Sequence, residues 1–198
     1  MGETLVIVMM SSGDVVEVLD RLDSVQIEVW LDGGWGVDAL LSEQTRPHDD
    51  LDLIVRLSDV PTLRVVLARH GFQLVEGAWD SSFVIRDHRG RELDIHTVRF
   101  DEEGNGIYTG VARGGNELDI CPASGFAGTG IVAGRQVMCL TPELQMLCHS
   151  SGYEPSETDF HDMRLLHARF GTTLAPRFLG ADVNTFFESP VSYPPRDT

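Results

Sequence analysis

The chain predicts an α+β protein, a mixed sheet flanked by helices with a C-terminal β and helical extension. Three observations carry that reading. Apolar residues recur with a period of two at 25–31, 50–55, 72–75, 82–86, 91–98 and 131–140. Helical spacing occupies 14–28, 35–41 and 58–70 between them, and returns from Thr141 and over 159–170. The alternation is too irregular for repeated βα units, so a mixed sheet covered by helices fits better than a parallel one. The acidic, glycine-rich stretch 101–116 divides the chain into 1–116 and 117–198.

The first helix carries Val15, Val18, Leu19 and Leu22 on one face, with Asp14 as its cap. Val25, Ile27 and Val29 then alternate with Gln26, Glu28 and Trp30, a strand that runs into Asp32, Gly33 and Gly34. Trp35 to Leu41 forms the next helix. In the strand that follows, Leu51, Leu53 and Val55 enter the core while Asp50 and Asp52 share the opposite face. Ser58-Asp59-Val60-Pro61 opens a third helix with Leu63, Val66 and Leu67, and Gly71 ends it. A hairpin through Asp87-His88-Arg89-Gly90 returns along 91–98, where Glu92, Asp94 and His96 alternate with Leu93 and Ile95.

Residues 131–140 read as a hairpin turning at Gly134. Gly125, Gly128 and Gly130 read as turn residues, because no Gly-Lys-Ser/Thr follows them. Thr141 caps a helix whose Leu144, Leu147 and Cys148 face the core, and the tail from Ser189, with three prolines, is extended.

Composition excludes several classes. The formal charge of −16 argues against sequence-independent nucleic-acid binding and favours a cationic partner or metal ions. All 15 basic residues are arginine, so lysine Schiff-base chemistry and a phosphate-loop lysine are ruled out. Three cysteines are too few, and odd in number, for a disulfide framework. No apolar stretch reaches the roughly 18 residues that a membrane helix needs, and the run Leu5 to Met10 lacks the basic leader of a signal peptide. A soluble, cytoplasmic monomer or homodimer is expected.

Chemistry concentrates in two strands. Two acids side by side on a rigid strand, Asp50 and Asp52, suit a divalent metal, and Asp94 can complete a two-metal site or take a proton from a hydroxyl. Gly33 and Gly34 are either a tight turn or a place where backbone N–H groups approach a phosphate. Arg46 and His48 are either solvated or in reach of triphosphate oxygens. Cys148 and His149 are helix neighbours about 100° apart, which is not a nucleophile and base pair.

Taken together, Gly33-Gly34-Trp35, Asp50-Leu51-Asp52 and Glu92-Leu93-Asp94-Ile95-His96 resemble the DNA polymerase beta-like nucleotidyltransferases, and most closely their lincosamide and aminoglycoside branch. The resemblance implies a nucleotidyltransferase core over 1–116. It implies transfer of a nucleoside monophosphate, AMP from ATP or the corresponding monophosphate of another NTP, to a hydroxyl of an amino-sugar-type antibiotic such as a lincosamide or aminoglycoside, with release of pyrophosphate. Asp50, Asp52 and Asp94 match the metal-binding acids for two Mg²⁺ ions, with Asp94 also as base. Gly33, Gly34, Trp35, Arg46 and His48 fall at the nucleotide, and Glu92, His96 and Tyr153 toward a cationic acceptor. The rival readings are an enzyme that adenylylates a protein, as in toxin and antitoxin systems, and a non-catalytic nucleotide-binding module of the same fold. A zinc-binding protein using Cys139, Cys148, His149 and His161 lacks ligand spacing.

Overall fold

A computed structural model of the protein describes residues 8–109, 120–150 and 153–179. The tail from Ser189, residues 110–116 of the acidic stretch and residues 5–7 of the run Leu5 to Met10 lie outside the described residues.

The elements follow in the order α1 (Ser12–Asp23), β1 (Val29–Leu31), α2 (Gly33–Leu41), β2 (Asp50–Arg56), α3 (Val60–Arg69), β3 (Gln73–Gly77), β4 (Phe83–Arg86), β5 (Glu92–Phe100), β6 (Gly106–Tyr108) and β7 (Ile120–Cys121). The β8 (Gly128–Val132) and β9 (Arg135–Cys139) hairpin, α4 (Pro142–Cys148) and α5 (Glu157–Phe170) complete them. The strands join one sheet in the order β3-β4-β5-β2-β1-β9-β8, with β6 on β5 and β7 on β6. β2 is parallel to β5 and β1 parallel to β9, while β1 and β2 are antiparallel. The sheet is therefore mixed, and the 131–140 hairpin is part of it.

Each face of the sheet has its own core. Leu51, Leu53 and Val55 of β2, with Leu93 and Ile95 of β5, pack against Val15, Val18, Leu19 and Leu22 of α1 and Leu63 and Leu67 of α3. On the other face, Ile54 and Val98 are covered by Trp30, Phe126, Leu140 and Leu144. That second cover stops short of the first halves of β2 and β5, which leaves Asp50, Asp52, Glu92, Asp94 and His96 half-buried instead of sealed. A third cluster, Val37, Met146, Met163, Leu166 and Phe178, ties α2 to α4 and α5.

Several local expectations shift. Ser11 is the cap of α1, and Asp14 answers it three residues on in a capping box. The strand expected from Val25 begins only at Val29: Gln26 is left-handed (φ 59°), and the N–H groups of Val25, Gln26 and Ile27 bond back to the end of α1. Gly128 and Gly130 are strand residues and not turn residues. A Cβ on Gly130 would strike the backbone of Ala39, so this glycine lets β8 lie directly on α2. The turn itself is Ala133-Gly134, both at positive φ (49° and 80°). In α4, Gln145 and Met146 are buried beside Leu144, whereas Leu147 is 53% exposed, because the helix turns this face toward α2. Among the described residues no helix is long and apolar enough to cross a membrane.

Candidate active site

The parallel pairing of β2 and β5 brings the acids together. Its register sets Asp50 opposite Glu92, Asp52 opposite Asp94 and Ile54 opposite His96. Alternation does the rest, since each polar member points away from the helix-covered face. Oxygen atoms of Asp52 and Asp94 and a ring nitrogen of His96 all lie within 4.8 Å of one another. Two carboxylates and an imidazole at that spacing fit a divalent cation.

Asp50 stands one pair further along and is not part of that trio. Burial, then the charges of Asp52, Asp49, Asp94 and Glu92, push its pKa up to about 7. Crowded carboxylates of this kind hold protons unless a cation neutralises them. Burial works against the imidazolium of His96, but Asp52 and the charges of Asp94 and Asp32 outweigh it, and its pKa is raised.

The Asp32 to Trp35 turn abuts this cluster. Asp32, buried, caps α2 by accepting from the Gly33 N–H at 2.8 Å, and its own N–H donates to the Asp52 carbonyl at 3.1 Å. Gly33 has φ 55°, and a Cβ there would collide with the Asp52 carboxylate. A Cβ on Gly34 would collide with the His48 ring and the Arg46 guanidinium. Both glycines thus let functional side chains close onto the helix start.

Arg46 grips Asp162 of α5, with Nε 3.1 and 3.2 Å from its two oxygens and Nη2 2.7 Å from Oδ2. His48 is 2% exposed; its Nε2 lies 2.5 Å from Asp38 and its ring 4.6 Å from that of Trp35, which is itself 2% exposed. Trp35 and His48, expected at the nucleotide, therefore back the glycine turn from inside. Glu92 is paired with Arg86 on β4, and the Tyr153 hydroxyl is held by Asp159 at 2.7 Å and by His149 at 2.6 Å.

Two groups went unmarked in the sequence. His149, at the end of α4, has Nδ1 2.8 Å from Asp159. Burial disfavours its charge, but Asp159, Asp32 and Asp52 outweigh that and raise its pKa. Asp32 influences His96, Tyr108, Cys148 and His149 alike, which makes it the acid most widely felt around the site. His149 depends on α4 and α5 folding back over α2, which no local pattern marks, whereas Asp32 stands directly before the glycine pair as the cap of α2.

The family profile described as aminoglycoside-2''-adenylyltransferase matches residues 14–166. A lincosamide resistance protein of Staphylococcus haemolyticus is 30% identical over 149 residues, covering 75% of this chain and 89% of that protein. A 2''-aminoglycoside nucleotidyltransferase of Escherichia coli is 29% identical over 123 residues, covering 62% of this chain and 63% of its own. The lincomycin-bound crystal structure of the lincosamide adenylyltransferase LnuA superposes with a TM-score of 0.70 at 25% identity, over 81% of this chain and 99% of that one. ANT(2'')-Ia in complex with adenylyl-2''-tobramycin shares the fold, with a TM-score of 0.64 at 21% identity over 79% and 87%. The chain has the polymerase-beta-like nucleotidyltransferase fold and belongs to the aminoglycoside-2''-adenylyltransferase family.

Proposed function

We propose that this protein transfers AMP from ATP to a hydroxyl of an aminoglycoside or lincosamide antibiotic and releases pyrophosphate. The observation that carries the reading is the in-register pairing of Asp52 with Asp94, beside a glycine turn that opens α2, in a chain of this family. Asp50, Asp52 and Asp94 would hold two Mg²⁺ ions, which supply neutralisation of the triphosphate charge. The acceptor oxygen bonds to the α-phosphorus while the bond from that phosphorus to the bridging oxygen breaks, and pyrophosphate departs with its electron pair. Asp94 takes the acceptor's proton, a task suited to a carboxylate crowded by other negative charge.

The glycine turn at Gly33 and Gly34 would let the departing phosphates approach the positive end of α2. Arg46 and His48 fix the loop before β2, and Arg46 keeps a guanidinium near Asp50. On the acceptor side, Glu92 and Tyr153 would offer polar contacts, and the strongly negative chain suits an amine-bearing substrate.

Incubation with α-labelled ATP, Mg²⁺ and a panel of aminoglycosides and lincosamides tests this reading. Label appearing in an antibiotic supports it. Label confined to protein from a cell extract supports the rival protein-modifying activity, and pyrophosphate release with neither product contradicts both.

A further inference from the structure

We propose that His96 is a nitrogen ligand of the catalytic cation, and that this makes the centre prefer a borderline transition ion such as Mn²⁺ to Mg²⁺. The inference rests on the nucleotidyltransferase reading and replaces the acceptor contact suggested by His96's place on the wet strand face. Two residues beyond Asp94 on β5, His96 shares its face, and its ring reaches both acids of the pair. Nε2 stands 3.9 Å from Asp52 Oδ1 and 3.8 Å from Asp94 Oδ1.

Those separations discriminate between two arrangements. An imidazolium bridging two carboxylates would shorten at least one contact to about 2.8 Å. Two donors each about 2.1 Å from a shared ion stand at most about 4.2 Å apart, and both gaps from His96 fall inside that limit.

The second nitrogen is equipped for the same task. Nδ1 lies 3.2 Å from the Ser82 hydroxyl, and an Nδ1–H donated to that oxygen selects the tautomer whose Nε2 lone pair faces the acids. Tyr108 meets the ring edge-on at 6.4 Å and 83°, limiting its rotation. Mg²⁺ holds to oxygen ligands and gives up water reluctantly, whereas first-row transition ions, Mn²⁺ the weakest binder among them, take an imidazole nitrogen more readily. A centre built from Asp52, Asp94 and His96 should therefore rank Mn²⁺ above Mg²⁺.

The test is electron spin-echo envelope modulation on the full-length protein loaded with Mn²⁺. Wild type should show coupling to one imidazole ¹⁴N, replaced by the ¹⁵N pattern when the protein is grown on ¹⁵N-histidine. His96→Gln should lose the coupling and weaken Mn²⁺ binding by about tenfold or more, while Mg²⁺ binding changes less. The isotope exchange needs no substitution, so a poorly folding variant does not remove the test. Mn²⁺ bound without nitrogen coupling, or coupling that persists in His96→Gln, overturns the assignment of His96. If transfer of labelled AMP proceeds in such a sample, only the His96 role fails; if neither Mn²⁺ binding nor transfer is seen, the nucleotidyltransferase reading fails with it.

Discussion

The absence of a single methyl group at Gly33 decides whether Asp52 can occupy its place. The residue combines a left-handed backbone with a Cβ direction that runs into the Asp52 carboxylate, so alanine is penalised twice. Gly33→Ala should leave a folded protein with a stability loss of about 1–2 kcal/mol, and lower kcat/KM by about 100-fold, since small misplacements at a reacting centre cost that much. Thermal melts and steady-state kinetics measure the two effects separately. At this scale the sequence was informative about acids and poor about partners. Asp50, Asp52 and Asp94 were legible because strand alternation determines the face on which a side chain emerges. That Arg46 ends on Asp162, 116 residues away, was not, because no local rule describes the approach of α5, and the His48 contact with Asp38 depends on how the loop before β2 folds back along α2.

Helices α4 and α5 hold the cleft from one side through two polar ties. Asp162, 3% exposed, takes the Arg46 guanidinium through three hydrogen bonds. Removing the carboxylate in Asp162→Ala strands a half-buried cation and should cost about 2–3 kcal/mol, read from denaturant unfolding. The second tie joins His149 to Asp159. Burial alone would raise the Asp159 pKa, but bonds from His149, Ser156 and Tyr153 dominate and hold it below the usual carboxylate range. A depressed carboxylate contributes stability present above its unfolded pKa of about 3.9 and lost as pH falls. His149, shifted upward, contributes stability that is full below its unfolded pKa of about 6.5 and lost as pH rises through its folded value. The tie is therefore strongest between about pH 4 and 6.5, and Asp159→Asn should lower the melting temperature most inside that window and less on either side of it. Most element types and their order could be read from periodicity, but β6, inside the stretch read as a loop, and β7 are too short to show a pattern, and two further readings shifted. The chain turns back at Gln26 to close on α1, and Gly130 lies inside a strand because α2 presses on it.

Over the whole molecule, a net charge of −16 shapes encounter more than fold. For a multiply cationic aminoglycoside, KM should rise as salt goes from about 0.05 to 0.5 M, because the Debye length shrinks from above 10 Å toward a few ångströms. A lincosamide with a single amine should respond much less, and parallel titrations of both acceptors check this. The mixed sheet was legible from the irregular order of helices and strands. Its strand order was not, since the parallel pairing of β1 with β9 joins segments over a hundred residues apart. The central claim is that this chain adenylylates an antibiotic with Asp94 as the proton acceptor. The most direct test is mass spectrometry of antibiotics incubated with ATP, Mg²⁺ and either the wild type or Asp94→Asn. The account predicts one antibiotic gaining a single adenylyl group with wild type, and a rate at least about 100-fold lower with the folded variant. An unmodified panel, or an Asp94→Asn variant as fast as wild type, would contradict it.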